Sequence, residues 1–442
     1  MIRLANKRTP LNKMVFFIFL NILCFAATAQ KPNIIYIMTD DLGYADLSCY
    51  GRKDYQTPHL DKLASEGIKF TNAYSAAPVC TPTRVAFMTG LYPSKIPLGL
   101  VEPLTWSSKD SMTGLLYKNS IAARLRESGY ETNLVGKWHL GFKPEFSPLR
   151  NGFDYFFGFN GGGIDYISHR SPRGGYDDLY ENETPVREDG YMTDVLLKKA
   201  VEVISKPHQK PFFLNIMFNA PHWPWQGPDD KPYHDTLPWQ AGGSAEIYAA
   251  MMISLDNAMG TIMKTLEDHG LSKNTIVIFT SDNGGERFSD MGIYKGKKMQ
   301  LWEGGIRVPA FVRWPGVIDP NSTTAQVATT MDWTKTILSI AGAKEKEEAP
   351  LDGMDLLPVL NGIQNEIQRE LYWRIHQRTQ HKAMRSGKWK FMQDEKGDEY
   401  LFDLEKDPSE VDNLKEKEAI IFNQLKNKYA LWETTVLKPV SL

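Results

Sequence analysis

Cysteine is scarce in this chain: Cys24, Cys49 and Cys80 are the only ones in 442 residues. That excludes a disulfide-dense scaffold. An excess of one charge is also lacking, with 51 Lys and Arg against 53 Asp and Glu and a net charge of −2. Bulk electrostatics therefore offers nothing to a nucleic acid. No segment beyond the N-terminus is apolar enough for stable membrane insertion. The 9 histidines show neither an H-x-x-H nor a D-x-x-x-H-x-x-x-H spacing, which tells against a two-metal hydrolase. Internal repeats and low-complexity tracts are missing too.

The N-terminus reads as a secretory signal over residues 1–29. Lys7, Arg8 and Lys13 precede the apolar stretch Met14 to Ala27, and Ala27-Thr28-Ala29 forms an A-x-A cleavage site before Gln30. The expected address is periplasmic or secreted. The mature chain would keep Cys49 and Cys80, and a bridge between them is the plain alternative to a working cysteine.

At this length the chain can bury a large core. Asn33 to Met38, Thr132 to Val135, Phe212 to Phe218 and Thr275 to Thr280 are short runs, largely apolar on both faces, as in buried parallel strands. Pro309 to Trp314 suggests another. Helical patterns fall at Leu60 to Glu66, Ser120 to Glu127, Thr193 to Ile204, Ile247 to Leu266 and Asp332 to Ala341. The alternation predicts an α/β fold, a large mostly parallel sheet between helices. The catalytic domain is expected over residues 30–365, with a charged linker at Lys344 to Pro350. A small α+β subdomain follows over residues 366–442: short antiparallel strands at His381 to Met392 and Glu399 to Leu404, then a closing helix from Asn413 to Leu431. Aromatics make up 12% of the chain, including 11 Trp, which suits a sugar-binding cleft and a well-filled core equally.

Each of the four main strand candidates runs straight into polar residues, at the ends where open parallel sheets build their sites. These are Thr39-Asp40-Asp41, Gly136-Lys137-Trp138-His139, Asn219-Ala220-Pro221-His222 and Ser281-Asp282-Asn283-Gly284-Gly285. Asp40, Asp41, Asp282 and Asn283 form an all-oxygen set that suits Ca²⁺ or Mg²⁺. Read singly, each is an ordinary turn or helix cap. Lys137 and His139, two apart on an extended segment, would point the same way. His222 at a strand end is a candidate general acid.

Cys80-Thr81-Pro82-Thr83-Arg84 places a cysteine at the start of a predicted helix, where free N–H groups favour an anion, with Arg84 one turn on. This C-x-P-x-R core, continued by Val85 to Gly90, resembles the signature of the type I sulfatases of the alkaline phosphatase superfamily. Gly136 to Gly141 matches that family's G-K-W-H-x-G motif. Within the family the chain looks closest to the arylsulfatase B, N-acetylgalactosamine-4-sulfatase-like branch. The carriers are Val79 to Arg84, Val135 to Gly141, Gly152 to Asp154, Phe157-Gly158, Asp165-Tyr166, Ser168-His169 and Leu301 to Gly305.

The resemblance implies that a sulfatase-maturating enzyme, acting on the unfolded chain, oxidises Cys80 to formylglycine. It implies one divalent cation, usually calcium, on Asp40, Asp41, residue 80, Asp282 and Asn283. Lys137 and Lys298 would bind sulfate, Arg84 would steady the aldehyde hydrate, His139 would bond one of its hydroxyls and His222 would protonate the leaving oxygen. The implied substrate is a sulfated saccharide, with 4-sulfated N-acetylgalactosamine or a galactose sulfate expected. Contacts to the sugar would come from the loops Leu98 to Ser111 and Asn160 to Arg173, including Trp106, Asp165, His169 and Arg170. The rival readings are a phosphodiesterase or phosphonate hydrolase of the same superfamily, and a glycan-binding pseudoenzyme in which Cys80 stays unmodified.

Overall fold

A computed structural model describes residues 31–106, 113–233, 241–377 and 379–439; the expected signal segment lies outside the described residues. In chain order the strands are β1 (Asn33–Thr39), β2 (Ile68–Phe70), β3 (Ala73–Tyr74), β4 (Glu131–Lys137), β5 (Tyr155–Phe159), β6 (Tyr180–Glu181), β7 (Thr184–Pro185), β8 (Phe212–Met217), β9 (Thr275–Ser281), β10 (Ala310–Arg313), β11 (Ser322–Thr324), β12 (Ala328–Thr329), β13 (Glu370–Ile375), β14 (His381–Ser386), β15 (Trp389–Gln393) and β16 (Glu399–Asp403). The helices are α1 (Pro58–Ser65), α2 (Cys80–Thr89), α3 (Ile121–Glu127), α4 (Met192–Ser205), α5 (Ala245–Asp268), α6 (Glu303–Ile306), α7 (Thr330–Ile340), α8 (Leu357–Leu360) and α9 (Ala419–Glu433).

Ten strands form one sheet in the order β11-β2-β10-β9-β1-β8-β4-β5-β6-β7. Its middle, β9-β1-β8-β4-β5, is parallel. The apolar runs belong here because these strands are covered on both faces. Along β1 the side chains alternate. Ile35 and Ile37 join the core under α1, α4 and α5. Ile34, Tyr36 and Met38 join the core under α2, α3 and α7. Burying each such side chain stabilises by roughly 1.5–3 kcal/mol. The run at Pro309 to Trp314 is indeed a strand, but β10 lies antiparallel to both β9 and β2.

The chain ends in a four-stranded antiparallel sheet, β13-β14-β15-β16, with α9 against β14 and β15. The expected single strand at His381 to Met392 is two strands, broken at Gly387, whose φ of 56° turns the chain. The other face of this sheet packs on the catalytic half: Leu371, Trp373, Ile375 and Phe402 share a core with Tyr74, Val79 and Cys80. No helix among the described residues is long and apolar enough to cross a membrane.

Candidate active site

Parallel pairing of β1 with β9 puts Thr39 beside Ser281, so the two acidic strand ends emerge together. Asp41 turns out of β1 at φ 64°, a backbone position that non-glycine residues hold chiefly at functional sites. Its N–H donates to Asp282 Oδ1 at 3.2 Å, and Asn283 Nδ2 donates to Asp41 Oδ1 at 2.7 Å. Asp40, Asp282 and Asn283 are fully buried. Within this cluster Asp40 Oδ1 and Asn283 Oδ1 have no hydrogen-bond partner. Two buried oxygens left unsatisfied in a hard-oxygen set fit a divalent cation. His222 adds to that set: one ligand atom each from Asp40, Asp41 and His222 lie within 4.8 Å of one another.

The cations expected to bind sulfate sit on the same carboxylates. Lys137 Nζ donates to Asp40 Oδ2 at 2.5 Å, and Lys298 Nζ to Asp41 Oδ2 at 2.7 Å. Arg84 Nη2 donates to Asp282 Oδ2 at 2.9 Å, and its Nη1 to the Lys137 carbonyl at 3.2 Å. Burial works to raise the Asp40 carboxyl, but Lys137, His222, Arg84 and Lys298 outweigh it and hold it far below the usual range. Asp282 goes the other way, pushed up to about 7 by burial and by Asp40 against the pull of Arg84 and Lys137.

Cys80 opens α2, whose N-cap Val79 offers no side-chain acceptor, so the first-turn N–H groups face the site. All ten residues of this helix are buried, and its hydroxyls are satisfied internally, as in Thr83 Oγ1 donating to the Ala77 carbonyl at 3.0 Å. Cys80 is 2% exposed. Burial raises its thiol while Lys137 and Lys298 pull it down. Cys49 and Cys80 are both free, so the bridge does not form.

The two histidines are fixed through opposite nitrogens. His139 Nε2 donates to the Leu104 carbonyl at 2.8 Å, and Thr81 Oγ1 lies 3.4 Å from Nδ1. Strand β4 stops at Lys137 and His139 has φ 56°, so the extended geometry expected for the pair is absent. Burial and Lys137 hold the His139 imidazole neutral, well below its usual range. His222 Nδ1 donates to the Trp223 carbonyl at 2.5 Å, which turns Nε2 toward Asp41 Oδ2 at 3.6 Å. Burial lowers His222 to about 4, partly offset by Asp40.

Sequence reading missed three parts. Gly162 and Gly163 pass directly over the histidines: a Cβ on Gly162 would lie 2.8 Å from His139 Nε2, and one on Gly163 3.3 Å from His222 Cε1. Burial raises the Glu286 carboxyl, and the charge of Lys298 pulls it back down. The segment carrying Lys298 is tied down on both sides: Lys298 N–H donates to the Gly285 carbonyl, Met299 N–H to the Pro78 carbonyl, and Thr379 Oγ1 to the Met299 carbonyl. The G-G run after Asn160 was a visible signal for the first; nothing local signals the others.

Two loop residues expected at the sugar are structural instead. Asp165 is 2% exposed and accepts from the Ile167, Ser168 and Tyr233 N–H groups and from Gln226 Nε2. His169 is buried with Nε2 on the Gly190 carbonyl. Arg170 pairs with Asp177 at 3.5 Å. Trp106 stands 57% exposed, and residues 107–112 of its loop lie outside the described residues.

A parallel sheet whose central strand ends gather an oxygen-rich cluster, beside a helix that opens on a cysteine, is the arrangement of the alkaline phosphatase-like superfamily. The family model described as Sulfatase matches residues 32–343, and that of the N-sulphoglucosamine sulphohydrolase C-terminal region matches 290–434. The chain belongs to the sulfatase family and is a sulfuric ester hydrolase. It is 32% identical over 380 residues to the N-acetylgalactosamine-6-sulfatase of Canis lupus familiaris, covering 79% of this chain and 70% of that one. It is 35% identical over 340 residues to Arylsulfatase J of Mus musculus, covering 75% and 56%. The crystal structure of Ps i-CgsB in complex with k-i-k-neocarrahexaose superposes with a TM-score of 0.83 at 31% identity, covering 93% of this chain and 94% of that one.

Proposed function

We propose that the protein removes sulfate from galactose-type sugars, acting from the chain end on 4-O-sulfated N-acetylgalactosamine or galactose, in the periplasm or outside the cell. The observation that carries the reading is the buried pair of unsatisfied oxygens, Asp40 Oδ1 and Asn283 Oδ1, beside the N-terminus of the Cys80 helix. Asp40, Asp41, Asp282 and Asn283 would hold one divalent cation, calcium or else magnesium, with residue 80 completing the set. That cation would supply Lewis-acid stabilisation of charge on the sulfate oxygens. Formylglycine at position 80, as its hydrate, would supply the nucleophilic hydroxyl and a second hydroxyl for releasing sulfate.

The chain's own groups do the rest. Lys137 and Lys298 turn from Asp40 and Asp41 to the incoming sulfate and neutralise its oxygens. Arg84 steadies residue 80 from one turn along α2. His222, with Nδ1 held by the Trp223 carbonyl, carries a proton on Nε2 to the departing sugar oxygen. Its low intrinsic basicity makes it a strong acid once protonated. His139, held neutral, accepts the proton of the second hydroxyl. Because Cys80 is buried in the folded chain, the maturating enzyme must reach it before folding.

Support for the 4-position is the motif pattern over Val79 to Arg84, Val135 to Gly141 and Leu301 to Gly305; support for a galactose-type polymer is the neocarrahexaose complex of the structural relative. The N-acetylgalactosamine-6-sulfatase relatives favour the 6-position as a second reading. Mass spectrometry of the Cys80 peptide should show a loss of about 18 Da relative to cysteine. A panel of monosulfated galactose, N-acetylgalactosamine and glucosamine should then be cleaved at the galactose-type 4-sulfate. Cleavage confined to 6-O- or N-sulfated glucosamine would overturn the substrate, and an unmodified, inactive Cys80 the mechanism.

A further inference from the structure

Three loops that leave the active site end in aromatic rings, and those rings meet. Leu104 is pinned at both ends, its N–H donating to Thr81 Oγ1 at 3.1 Å and its carbonyl accepting from His139 Nε2. Two residues on, Trp106 projects from the surface. Phe142 follows three residues after His139. Its ring lies edge-on to Trp106 with centroids 4.5 Å apart, and Tyr176 lies 5.3 Å from Trp106 at a 36° tilt. A tryptophan that is 57% exposed while propped from two sides offers a rigid apolar face to solvent.

Tyr176 belongs to a closed loop. Buried Asp178 clasps its neck, accepting from Asn160 N–H at 3.2 Å and Gly161 N–H at 2.8 Å. The same loop carries Gly162 and Gly163 over the histidines and then presents Arg173. The Arg173 guanidinium lies 5.9 Å from the Trp223 ring centre, and no carboxylate pairs with it among the described residues. Trp223 is the residue whose carbonyl holds His222. Beyond Tyr176 lies a cleft of about 690 Å³, walled by Ser168, Arg170, Asp177 and Arg187. That is a volume typical of small-ligand sites.

We propose that Trp106, Tyr176 and Arg173 form a second sugar subsite, beside the leaving-group side of the active site, which takes an acidic pyranose linked to the sulfated one. The pyranose lays its C–H face on Trp106, and its sulfate or carboxylate meets Arg173. The preferred substrate is then an oligosaccharide with a second anionic residue rather than a monosaccharide. This rests on the sulfated-sugar reading above.

The test is the ratio of kcat/KM on an oligosaccharide to that on the matching monosulfated monosaccharide, for wild type, Trp106→Ala, Trp106→Phe and Arg173→Gln. Carrageenan oligosaccharides serve as the sulfated-neighbour arm and chondroitin 4-sulfate oligosaccharides as the uronate arm. The ratio should fall about tenfold in Trp106→Ala and Arg173→Gln, through KM, in whichever arm wild type prefers, and Trp106→Phe should recover most of it. A ratio equal in wild type and variants overturns the subsite, whatever the absolute rates. Should wild type cleave no sulfate ester at all, the reading of the active site fails by itself. Oligosaccharide affinity by calorimetry then decides the subsite: a loss of about tenfold in both variants supports it, and unaltered Kd refutes it.

Discussion

Two clusters of buried charge lie on either side of the segment from Lys298 to Arg307, and they are built differently. In the one joining the two halves of the chain, Glu303 Oε1 accepts from Lys390 at 2.9 Å, and its Oε2 from Tyr74 at 2.6 Å and Arg307 at 3.1 Å. Glu410 Oε1 lies 2.8 Å from Lys390, and its Oε2 accepts the Glu303 N–H at 2.7 Å. Each carboxylate oxygen there has a donor or a cation beside it, three through hydrogen bonds and Glu410 Oε1 through its ion pair with Lys390 alone. In the catalytic cluster Asp282, Asp40 and Asp41 each pair with a cation, Arg84, Lys137 and Lys298 in turn, yet Asp40 Oδ1 and Asn283 Oδ1 accept no hydrogen bond. The closed cluster uses its charges to fix a junction. The open one keeps acceptors unspent at a cost of a few kcal/mol, and such a cost persists where a ligand repays it.

The largest expected effect breaks the open cluster. Asp40→Asn should cut the aryl sulfate hydrolysis of folded molecules on the order of 10³-fold and, by leaving buried Lys137 without its carboxylate, also lower the melting temperature; a variant that keeps its activity would remove Asp40 from the site. Next comes the closed cluster. Lys390→Met leaves Glu303 and Glu410 buried without their shared cation and should cost about 3–5 kcal/mol in denaturant unfolding, with the turnover of folded molecules retained. If activity fell and stability held, the two clusters would have been assigned the wrong way round. Calcium sharpens the contrast without a mutation to the junction. Present at a hundred times its Kd it should stabilise the wild type by about 2.7 kcal/mol, raising its melting temperature, and leave Asp40→Asn unmoved; equal shifts in both proteins would place the ion elsewhere.

Smaller effects test what lies between the clusters. Gly162→Ala should push His139 aside and lower kcat about tenfold, with unfolding little changed, and a wild-type kcat would show that the imidazole has room to yield. The smallest is a slope. Burial raises the Glu410 carboxyl from an ordinary 4.5 to about 7 against the pull of Lys390. A carboxyl raised on folding contributes stability that is full below its unfolded value and is lost as pH rises through the folded one. Wild-type stability should therefore decline between about pH 4.5 and 7 from this group, and Glu410→Gln should flatten that decline. Parallel profiles for the two proteins would leave Glu410 ionised throughout.

How far the sequence could be read follows from the same contrast. Asp40-Asp41 and Asp282-Asn283 were legible because each directly follows an apolar strand, and a parallel sheet gathers strand ends on one edge. The four strands recognised by their apolar runs are neighbours in the sheet, β9-β1-β8-β4. Strand β5 was not read as one, since Tyr155 to Phe159 follows a turn and carries Gly158 in its interior. The antiparallel run of β10 and the break at Gly387 depend on partners that no local pattern names. The glycines over the histidines and the Glu303–Lys390–Glu410 junction join residues far apart in the chain. Local periodicity carries no information about such distances.

Trp373 and Phe402 share the buried core that holds Cys80, and that also sets a clock. Trp373 is made 293 residues after Cys80 (373 − 80). At about 5–20 residues per second, a chain that folds as it is synthesised leaves the thiol uncovered for about 15–60 s. The C-terminal sheet, made long after position 80, is thus a shutter over it. The time open to any modifying enzyme is written in the length of chain between them. Ribosome-arrested chains of increasing length, probed with a thiol reagent at Cys80, would show that shutter closing as the C-terminal sheet appears.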